Sequence, residues 1–247
     1  MIQQVILGDC LIEMEKIPDK SIDFILCDPP FGTTALRWDE IINFKELWFQ
    51  YKRIIKENGA ICLFSAQPFT SLLIYSNLEM FKYEWIWVKN TQRGIALANY
   101  QPMRKHENIC VFYSSQPVYN KQPTETESEI CKSHAKRGYV HVGSKESEHH
   151  QNMAGHSSGN WKININPNTV LKFNVVANRD KNHFHPTQKP VKLCEYLIKT
   201  YTNEDDLILD NCAGSGSTLV AAKNLNRQFI GIEKEPSYYD IILKRLA

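Results

Sequence analysis

The sequence predicts an α/β protein built around a mostly parallel sheet with helices on both faces. Short apolar segments of strand length alternate with segments whose apolar residues recur at helical spacing. Several of the strand-like segments are followed by an acidic residue or a glycine turn. Such alternation is typical of strand–helix–strand units, in which parallel strands are covered by helices. The 247 residues suffice for one such domain with an inserted module.

The first half of the chain contains most of the predicted elements. Residues 5–7 form a short apolar run, and the helix pattern after it ends at Pro18, which cannot continue a helix. A buried-strand pattern over 22–27 stops at Asp28. The segments that follow predict a helix over 44–55, a strand over 60–64, a helix over 69–78, and strands over 83–88 and 107–113.

Residues 115–182 differ in composition from the rest of the chain. They are rich in Gln, Asn, Ser, Pro, Lys, Glu and His and contain few apolar runs. Between residues 116 and 190 there are ten Lys or Arg and six Asp or Glu, a local excess of positive charge. Composition alone favours a flexible insertion, and a mobile module that faces the substrate is the functional alternative. We therefore expect an insertion between two halves of one domain, residues 1–114 and 183–247.

Regular patterning returns after the insertion. It predicts a helix over 191–201, a strand over 207–209, a helix over 217–225, a strand over 229–232 and a final amphipathic helix over 236–246.

Bulk properties exclude few classes of protein. The formal net charge of +2 does not by itself indicate a polyanionic partner. The seven cysteines include no C-x-x-C pair, which fits a reducing cytoplasm better than a disulfide framework. No secretory signal is visible, and no segment approaches the about 18 apolar residues of a membrane span. These features predict a cytoplasmic protein with no membrane partner.

Acidic residues follow four of the predicted strands. They are Asp9, Asp28, Asp210 and Glu233. An acid after one strand is common in turns, but open α/β sheets bind ligands at the carboxyl ends of their strands. Four acids at that edge therefore indicate a binding site.

A glycine turn follows Asp210. Gly214 and Gly216 lie between a strand and a helix, where backbone without a side chain can approach a ligand closely. A dinucleotide fingerprint would need glycine at Leu219, and a phosphate-cradling loop would need a lysine. With Glu233 placed to accept hydrogen bonds from ribose hydroxyls, the turn suggests an adenosine-containing ligand without a pyrophosphate.

The segment Asp28-Pro29-Pro30-Phe31 is the most specific feature. The two prolines stiffen the backbone and leave carbonyl oxygens as free acceptors, and the carboxylate adds another acceptor. Phe31 supplies an aromatic face beside them. An isolated segment of this kind is more often a simple proline turn, but this one falls where the predicted sheet binds ligands. The combination suits a planar base that carries an exocyclic amine.

Three motifs together resemble the amino-methylating DNA methyltransferases of the β group. Asp28-Pro29-Pro30-Phe31 is similar to their D-P-P-[YF] catalytic motif, residues 213–218 to their A-G-S-G-[ST]-T cofactor loop, and residues 185–190 to their H-P-T-Q-K-P segment. The resemblance covers nearly everything outside 115–180, includes the shorter match Trp38-Asp39, and is greatest to phage and prophage adenine methylases. It implies a Rossmann-like, S-adenosylmethionine-dependent methyltransferase fold with circularly permuted motif order. Two departures are Asn211-Cys212, where Pro-Phe is usual, and phenylalanine rather than tyrosine at position 31.

The resemblance also implies residue roles. Asp28, Pro29, Pro30 and Phe31 would bind an extruded base in double-stranded DNA and steer its amine towards the methyl group, without a metal or a covalent cysteine adduct. S-adenosylmethionine would contact Asp9, Asp28, Thr187, Gln188, Lys189, Asp210, Asn211, Cys212, Ala213, Gly214, Ser215, Gly216 and Glu233. Residues 115–182 would be the target-recognition region, with basic side chains on phosphates: Lys132, Lys136, Arg137, Lys145, Lys162 and Arg179. Cys131 and His134 lack a second matching pair, so surface polarity is favoured over a zinc site.

Several alternatives stay open. Methylation of cytosine N4 needs nearly the same geometry, and adenine is favoured because the cytosine enzymes more often carry serine where Asp28 stands. An RNA substrate, a non-catalytic DNA-binding subunit and a dinucleotide oxidoreductase are weaker alternatives. Family members are often homodimers, and a companion restriction endonuclease is a further candidate partner in a bacterial or phage-infected cell.

Overall fold

The computed structural model describes residues 2–33, 39–122, 166–177, 184 and 188–247. Eight strands and six α-helices lie in this part of the chain. In order they are β1 Gln3–Leu7, α1 Cys10–Met14, β2 Ile22–Cys27, α2 Phe44–Ile54, β3 Ile55–Ser65, α3 Phe69–Ser76, β4 Phe81–Arg93, β5 Arg104–Phe112, β6 Val170–Lys172, α4 Val191–Tyr201, β7 Leu207–Asp210, α5 Ser217–Asn224, β8 Gln228–Glu233 and α6 Pro236–Leu246. A 3₁₀ turn, Ile95–Leu97, lies between β4 and β5.

All eight strands form one sheet in the order β1-β8-β7-β2-β3-β5-β4-β6. The pairs from β1 to β3 are parallel, β5 is antiparallel to both of its neighbours, and β6 is parallel to β4. Two clusters of buried apolar side chains lie against this sheet, one rich in residues of α4 and α5 and the other in residues of α2 and α3. The predicted mostly parallel α/β sheet is therefore confirmed.

The strand order reverses between β7 and β2. From β7 the chain crosses through α5 to β8 on one side, whereas from β2 it crosses through α2 to β3 on the other. Such a switch point leaves a crevice at the carboxyl ends of the two strands, where ligands of open α/β sheets bind. The parallel pairing of β2 with β7 places Asp28, just after β2, and Asp210, the last residue of β7, at the same edge of the sheet.

Several predicted boundaries differ from the observed ones. β4 continues to Arg93 and β5 begins at Arg104, so their hairpin is longer than the apolar segments that predicted it. Backbone pairing does not require apolar side chains, and the outer half of this hairpin is exposed. In contrast, α1 ends at Met14 although the apolar pattern runs on to Ile17, which is buried just beyond the helix.

Both ends of the region with insertion-like composition belong to the compact unit that contains the sheet. Residues Met1–Asn120 and Thr169–Ala247 form one compact unit, and Lys121–Asn168 form another. The Asn120 side chain donates hydrogen bonds to the carbonyls of Lys199 and Thr202, and Val170–Lys172 pair with β4. A three-residue strand with one buried side chain, Leu171, leaves no periodic signal in a polar stretch. Over the described ranges, no helix has the length and apolar character needed to span a membrane.

Candidate active site

Asp28 lies at the carboxyl end of β2, and its two carboxylate oxygens have different surroundings. Oδ2 accepts a hydrogen bond from Lys189 Nζ at 2.5 Å. Oδ1 is buried and accepts no hydrogen bond from the described residues. The side chain is 26% exposed. Burial raises the pKa of Asp28 above its ordinary value; Lys189 opposes this effect and the nearby Glu107 adds to it.

Lys189 belongs to a buried chain of charges that reaches Asp28. Its side chain is only 8% exposed, and its Nζ lies 3.6 Å from Glu107 Oε2 in addition to its contact with Asp28. Glu107 is also paired with Lys89. Burial alone would lower the pKa of Lys189, but the two carboxylates raise it overall. Lys189 is therefore held as a cation between two anions.

The segment after Asp28 lies close to aromatic rings. Pro29 is buried, and the Phe31 ring stacks on the Phe69 ring with centroids 5.0 Å apart. Lys189 Nζ lies 5.9 Å from the centroid of the Phe31 ring and 5.1 Å from that of the Phe64 ring. Phe31 is half-buried, so it combines a packed ring with access to the site.

Asp39 holds the backbone of this segment. Its Oδ1 accepts hydrogen bonds from the backbone N–H groups of Phe31 at 2.8 Å and Gly32 at 2.9 Å, and its Oδ2 accepts one from Thr33 at 2.9 Å. Gly32 has φ +65°, a left-handed conformation that favours glycine. One carboxylate thus determines the path of three successive residues after the two prolines.

Asp210 is a second buried carboxylate at the same edge. Its Oδ1 accepts a hydrogen bond from the backbone N–H of Cys212 at 3.2 Å. Burial raises the pKa of Asp210 to about 7, although hydrogen bonds from Thr218 and Cys212 act in the opposite direction. Two carboxylates with raised pKa values at neighbouring strand ends favour a cationic ligand, which would stabilise both in the ionised form.

The glycine turn contains one open position and one packed position. Gly214, with φ +55°, has nothing within 4 Å of where a Cβ would lie, whereas a Cβ on Gly216 would meet Ile242 at 3.1 Å. The Gly214 N–H donates to Glu233 Oε2 at 2.6 Å, and Glu235 N–H donates to Glu233 Oε1 at 2.8 Å. Gly214 therefore leaves room for a ligand beside the Glu233 carboxylate, while Gly216 allows close packing of α6.

The residues of the turn that follows β7 are anchored to neighbouring helices and to β8. Asn211 Oδ1 accepts a hydrogen bond from the Tyr51 hydroxyl at 2.6 Å, and Ala213 N–H donates to the Ile232 carbonyl at 2.9 Å. Arg245 donates to the carbonyl of Ser215. These contacts fix the shape of the turn, and Asn211 is directed towards α2.

Asp9 and Gln188 also have local partners. Asp9 accepts a hydrogen bond from Leu11 N–H at 3.0 Å as the N-cap of α1, and its Oδ2 lies 3.6 Å from Lys234 Nζ. Gln188 accepts one from Phe184 N–H at 2.8 Å. These contacts are local, and the predicted cofactor contacts of both residues stay predictions.

Other predicted site residues lie outside the described part of the chain. They are Thr187 of the H-P-T-Q-K-P segment and the six basic residues assigned to DNA, Lys132, Lys136, Arg137, Lys145, Lys162 and Arg179. Cys131 and His134 lie outside it as well. In the ranges that are described, no cluster of His, Cys, Asp or Glu is arranged to hold a metal ion.

Three residues of the site were not predicted. Glu107 and Lys89 stand in the β4–β5 hairpin, where no motif marks them. Asp39 matches the family pattern as part of Trp38-Asp39, but the pattern assigns it no role. A buried glutamate between lysines is recognisable only once the fold has brought them together.

Comparisons with known proteins agree with this geometry. A family model described as DNA methylase (N6/N4 methyltransferase) matches residues 22–244. The type II methyltransferase M.HpaI of Haemophilus parainfluenzae is 29% identical over 100% of this chain and 74% of its own length. The DNA adenine methyltransferase YhdJ of Escherichia coli K12 is 27% identical over 98% of this chain and 82% of its own length.

Solved structures show the same fold. The crystal structure of an M1.HpyAVI–SAM complex superposes with a TM-score of 0.65 at 26% identity, covering 100% of this chain and 99% of the other. The cytosine-N4-specific PvuII DNA methyltransferase superposes with a TM-score of 0.68 at 18% identity, covering 98% of this chain and 86% of the other, which is a likeness of fold alone.

Proposed function

Because the chain belongs to the N6/N4 DNA methylase family, we propose that it transfers a methyl group from S-adenosylmethionine to the exocyclic N6 amine of adenine in DNA. The observation that carries this assignment is the asymmetry of Asp28. Lys189 occupies Oδ2, so the buried Oδ1 is the oxygen left to accept a hydrogen bond from an amine. Adenine is favoured over cytosine because the similar protein YhdJ is an adenine methyltransferase.

The residues present fit S-adenosylmethionine. The cofactor supplies a methyl group on a positively charged sulfonium centre. Asp28 and Asp210 place two carboxylates with raised pKa values at adjacent strand ends, where a cation is favoured. The open space beside Gly214 and the neighbouring Glu233 would receive the adenosine portion, with Glu233 on the ribose hydroxyls. Lys189, Gln188 and Thr187 are assigned to the methionine end by their motif alone.

Three residues of the catalytic segment have distinct parts in the reaction. The target adenine must leave the base stack to reach a buried carboxylate, so the enzyme binds it extruded. Asp28 Oδ1 and the Pro29 carbonyl accept the two amine hydrogens and direct the nitrogen lone pair at the methyl group. The Phe31 ring packs against the base. Direct transfer then depends mainly on proximity and alignment.

The ion pairs around Asp28 affect how readily its carboxylate accepts the proton that the reaction releases. Methylation leaves the amine nitrogen with one proton too many, and Asp28 is the adjacent acceptor. Its raised pKa makes it a better base than an ordinary aspartate. Lys189 limits that rise and keeps Oδ2 from competing with Oδ1 for the amine.

The direct test is modification mapping of DNA from cells that express the chain in a methylation-deficient host. We expect N6-methyladenine at one recurrent sequence, and none in cells expressing the Asp28→Ala variant. N4-methylcytosine at the recurrent site would change the base assignment while leaving the reaction class intact. Absence of any methylated base, with purified protein that binds S-adenosylmethionine, would contradict the proposed function.

Substitutions of Phe31 test whether its aromatic ring stacks on the extruded base. We expect Phe31→Ala to lower turnover about tenfold or more, since base–aromatic stacking contributes roughly 1–3 kcal/mol. Phe31→Tyr should keep turnover within about threefold, because the ring face is retained. Steady-state methylation of a duplex carrying the mapped site measures both. Phe49→Ala, at an exposed phenylalanine on α2, is the matched control and should have no effect; the opposite ranking of Ala and Tyr would exclude stacking.

Cofactor affinity should depend on pH through Asp210. Its raised pKa, about 7, means that the group is mostly protonated at pH 6 and mostly ionised at pH 8. A cationic cofactor prefers the ionised form, so we expect the Kd for S-adenosylmethionine to fall about tenfold over that interval, which is roughly the ratio of the ionised fractions of Asp210 at the two pH values. Calorimetric titrations of wild type and Asp210→Asn across this range provide the test. An identical pH dependence in both proteins would show that Asp210 is not the titrating group.

The proposal also assigns a role to the inserted region and names two candidate partners. We assign target recognition to the segment between the two parts of the sheet domain, with its basic residues on phosphates and its Asn and Gln side chains on base edges. Homodimerisation and a companion restriction endonuclease are proposed by analogy with type II systems such as that of M.HpaI.

A further inference from the structure

The β4–β5 hairpin projects a tip that is exposed along its whole length. Every residue from 90 to 102 is exposed, and this run together with the nearby Arg104 and Lys105 is called the hairpin tip below. It includes three large apolar side chains: Ile95 is 77% exposed, Leu97 49% and Tyr100 87%. Neighbouring apolar side chains that remain in solvent indicate a surface that is covered during function.

The charge around these apolar residues is entirely positive. Residues 85–106 contain four Lys or Arg and no Asp or Glu. Arg93 and Arg104 are paired directly across the two strands, an arrangement of like charges that costs stability unless an anion lies nearby. Within the described ranges, neither these arginines nor Lys105 forms an ion pair with a carboxylate. The hairpin tip is therefore complementary to a polyanion.

The hairpin tip stands at the catalytic edge of the sheet. β5 runs antiparallel to β3, so its first residues lie beyond the carboxyl end of β3, with Asn108 opposite Ser65. At the base of the hairpin Lys89 and Glu107 form an ion pair, and Glu107 shares Lys189 with Asp28. The base of the projecting hairpin is thus joined to the proposed catalytic carboxylate by consecutive ion pairs.

We propose that the hairpin tip enters the DNA beside the target base. Arg93, Arg104 and Lys105 contact backbone phosphates, while Ile95, Leu97 and Tyr100 occupy the space in the stack that the extruded adenine vacates. Apolar side chains that wedge between base steps are a general means of opening a duplex, and basic flanks are a general means of holding it. This inference rests on the proposed function, because it assigns the surface that presents the base to Asp28.

The apolar part is tested by the triple substitution I95S/L97S/Y100S. On an intact duplex carrying the mapped site, we expect methylation to fall at least about tenfold. On the same duplex with the target adenine opposite an abasic site, where extrusion costs least, activity should stay within about threefold of wild type. The matched control L72S/Y75S/L78S removes three exposed apolar side chains of the α3 region and should leave both activities unchanged.

The basic part is tested by DNA binding, which does not depend on methyl transfer. In R93Q/K105Q, the slope of log K against log salt for unmethylated duplex should decrease in magnitude by about 2, one unit for each phosphate that the variant no longer neutralises. The control K45Q/K82Q, at exposed lysines on α2 and at the start of β4, should retain the wild-type slope. This measurement remains interpretable even if the wild-type protein proves to methylate no DNA, an outcome that would count against the proposed function alone.

Three results would overturn the inference. One is an unchanged salt slope in R93Q/K105Q. Another is an equal loss of activity on the intact and abasic duplexes in I95S/L97S/Y100S, which would indicate general damage to the site. The third is a light-scattering result in which the wild type is a dimer and I95S/L97S/Y100S is a monomer. That result would show that the hairpin tip binds a second copy of the chain instead of DNA.

Discussion

Replacing Asp28 with asparagine is expected to lower the rate of methyl transfer about a thousandfold or more, within the range found when a proton acceptor is removed from an active site. Asparagine keeps the shape of the side chain but loses the negative charge that accepts the amine proton. It also presents an N–H group where an acceptor is needed. Asp28→Ala should also be inactive, because it removes the carboxylate that accepts the amine proton. Single-turnover transfer of a tritiated methyl group measures the effect.

Cofactor binding separates a chemical defect from unfolding in this experiment. Lys189 retains Glu107 as a partner when Asp28 is neutral, so the local packing should survive. We expect S-adenosylmethionine to bind the Asp28→Asn variant with an affinity that is still measurable by calorimetry. The control Asp19→Asn alters an exposed carboxylate near the start of β2 and should transfer methyl groups at the wild-type rate. Activity within about tenfold of wild type in Asp28→Asn would remove the mechanism.

The strand-end acids could be predicted because local information suffices for them. A buried apolar run marks each strand, and parallel strands place their carboxyl ends at one edge. The structure places Asp28, Asp210 and Glu233 at that edge. The glycine turn could also be predicted locally, because it lies between a strand pattern and a helix pattern. The different surroundings of Gly214 and Gly216 could not, because they depend on the packing of α6.

The partners of Asp28 could not be predicted in the same way. Lys189 lies 161 positions away along the chain and reaches Asp28 only because α4 packs across the sheet. Its motif indicated a contact with the cofactor, and nothing in the motif pointed to an ion pair with the catalytic carboxylate. Glu107 carries no motif and lies at the base of a hairpin whose length the apolar pattern underestimates. Buried charge networks of this kind are properties of the tertiary fold.

Asp39 shows a different limit of sequence reasoning. Its position after a tryptophan matches the family. The sequence therefore identifies Asp39 as part of a motif but does not indicate what its side chain does. A carboxylate that accepts three successive backbone N–H groups is recognisable only from the path of the loop. The proline pair stiffens one end of the catalytic segment, and Asp39 anchors the other. Both are needed because a hydrogen-bonded base tolerates little displacement of its acceptors.

Removing this anchor should impair catalysis strongly although Asp39 is not assigned to either substrate. We expect Asp39→Ala to lower turnover about a hundredfold, the size of effect that follows a displacement of roughly 1 Å in a reacting group. Asp39→Asn should be intermediate, since its amide oxygen can still accept from Phe31 and Gly32 while its amide nitrogen cannot accept from Thr33. The affinity for S-adenosylmethionine should change little in either variant, because the glycine turn is built from other elements.

The pattern across these variants distinguishes a positioning role from a general loss of stability. Three unsatisfied backbone donors would lower the melting temperature to some degree whatever the function of the loop, so turnover and stability must be compared in the same proteins. If Asp39 positions the segment, kcat falls in the order wild type, Asn, Ala while the cofactor Kd stays constant. The neighbouring exposed Glu40→Ala should match wild type in all measurements. A loss of kcat that merely parallels the fraction of unfolded protein, with the cofactor Kd rising in step, would show instead that Asp39 serves stability alone.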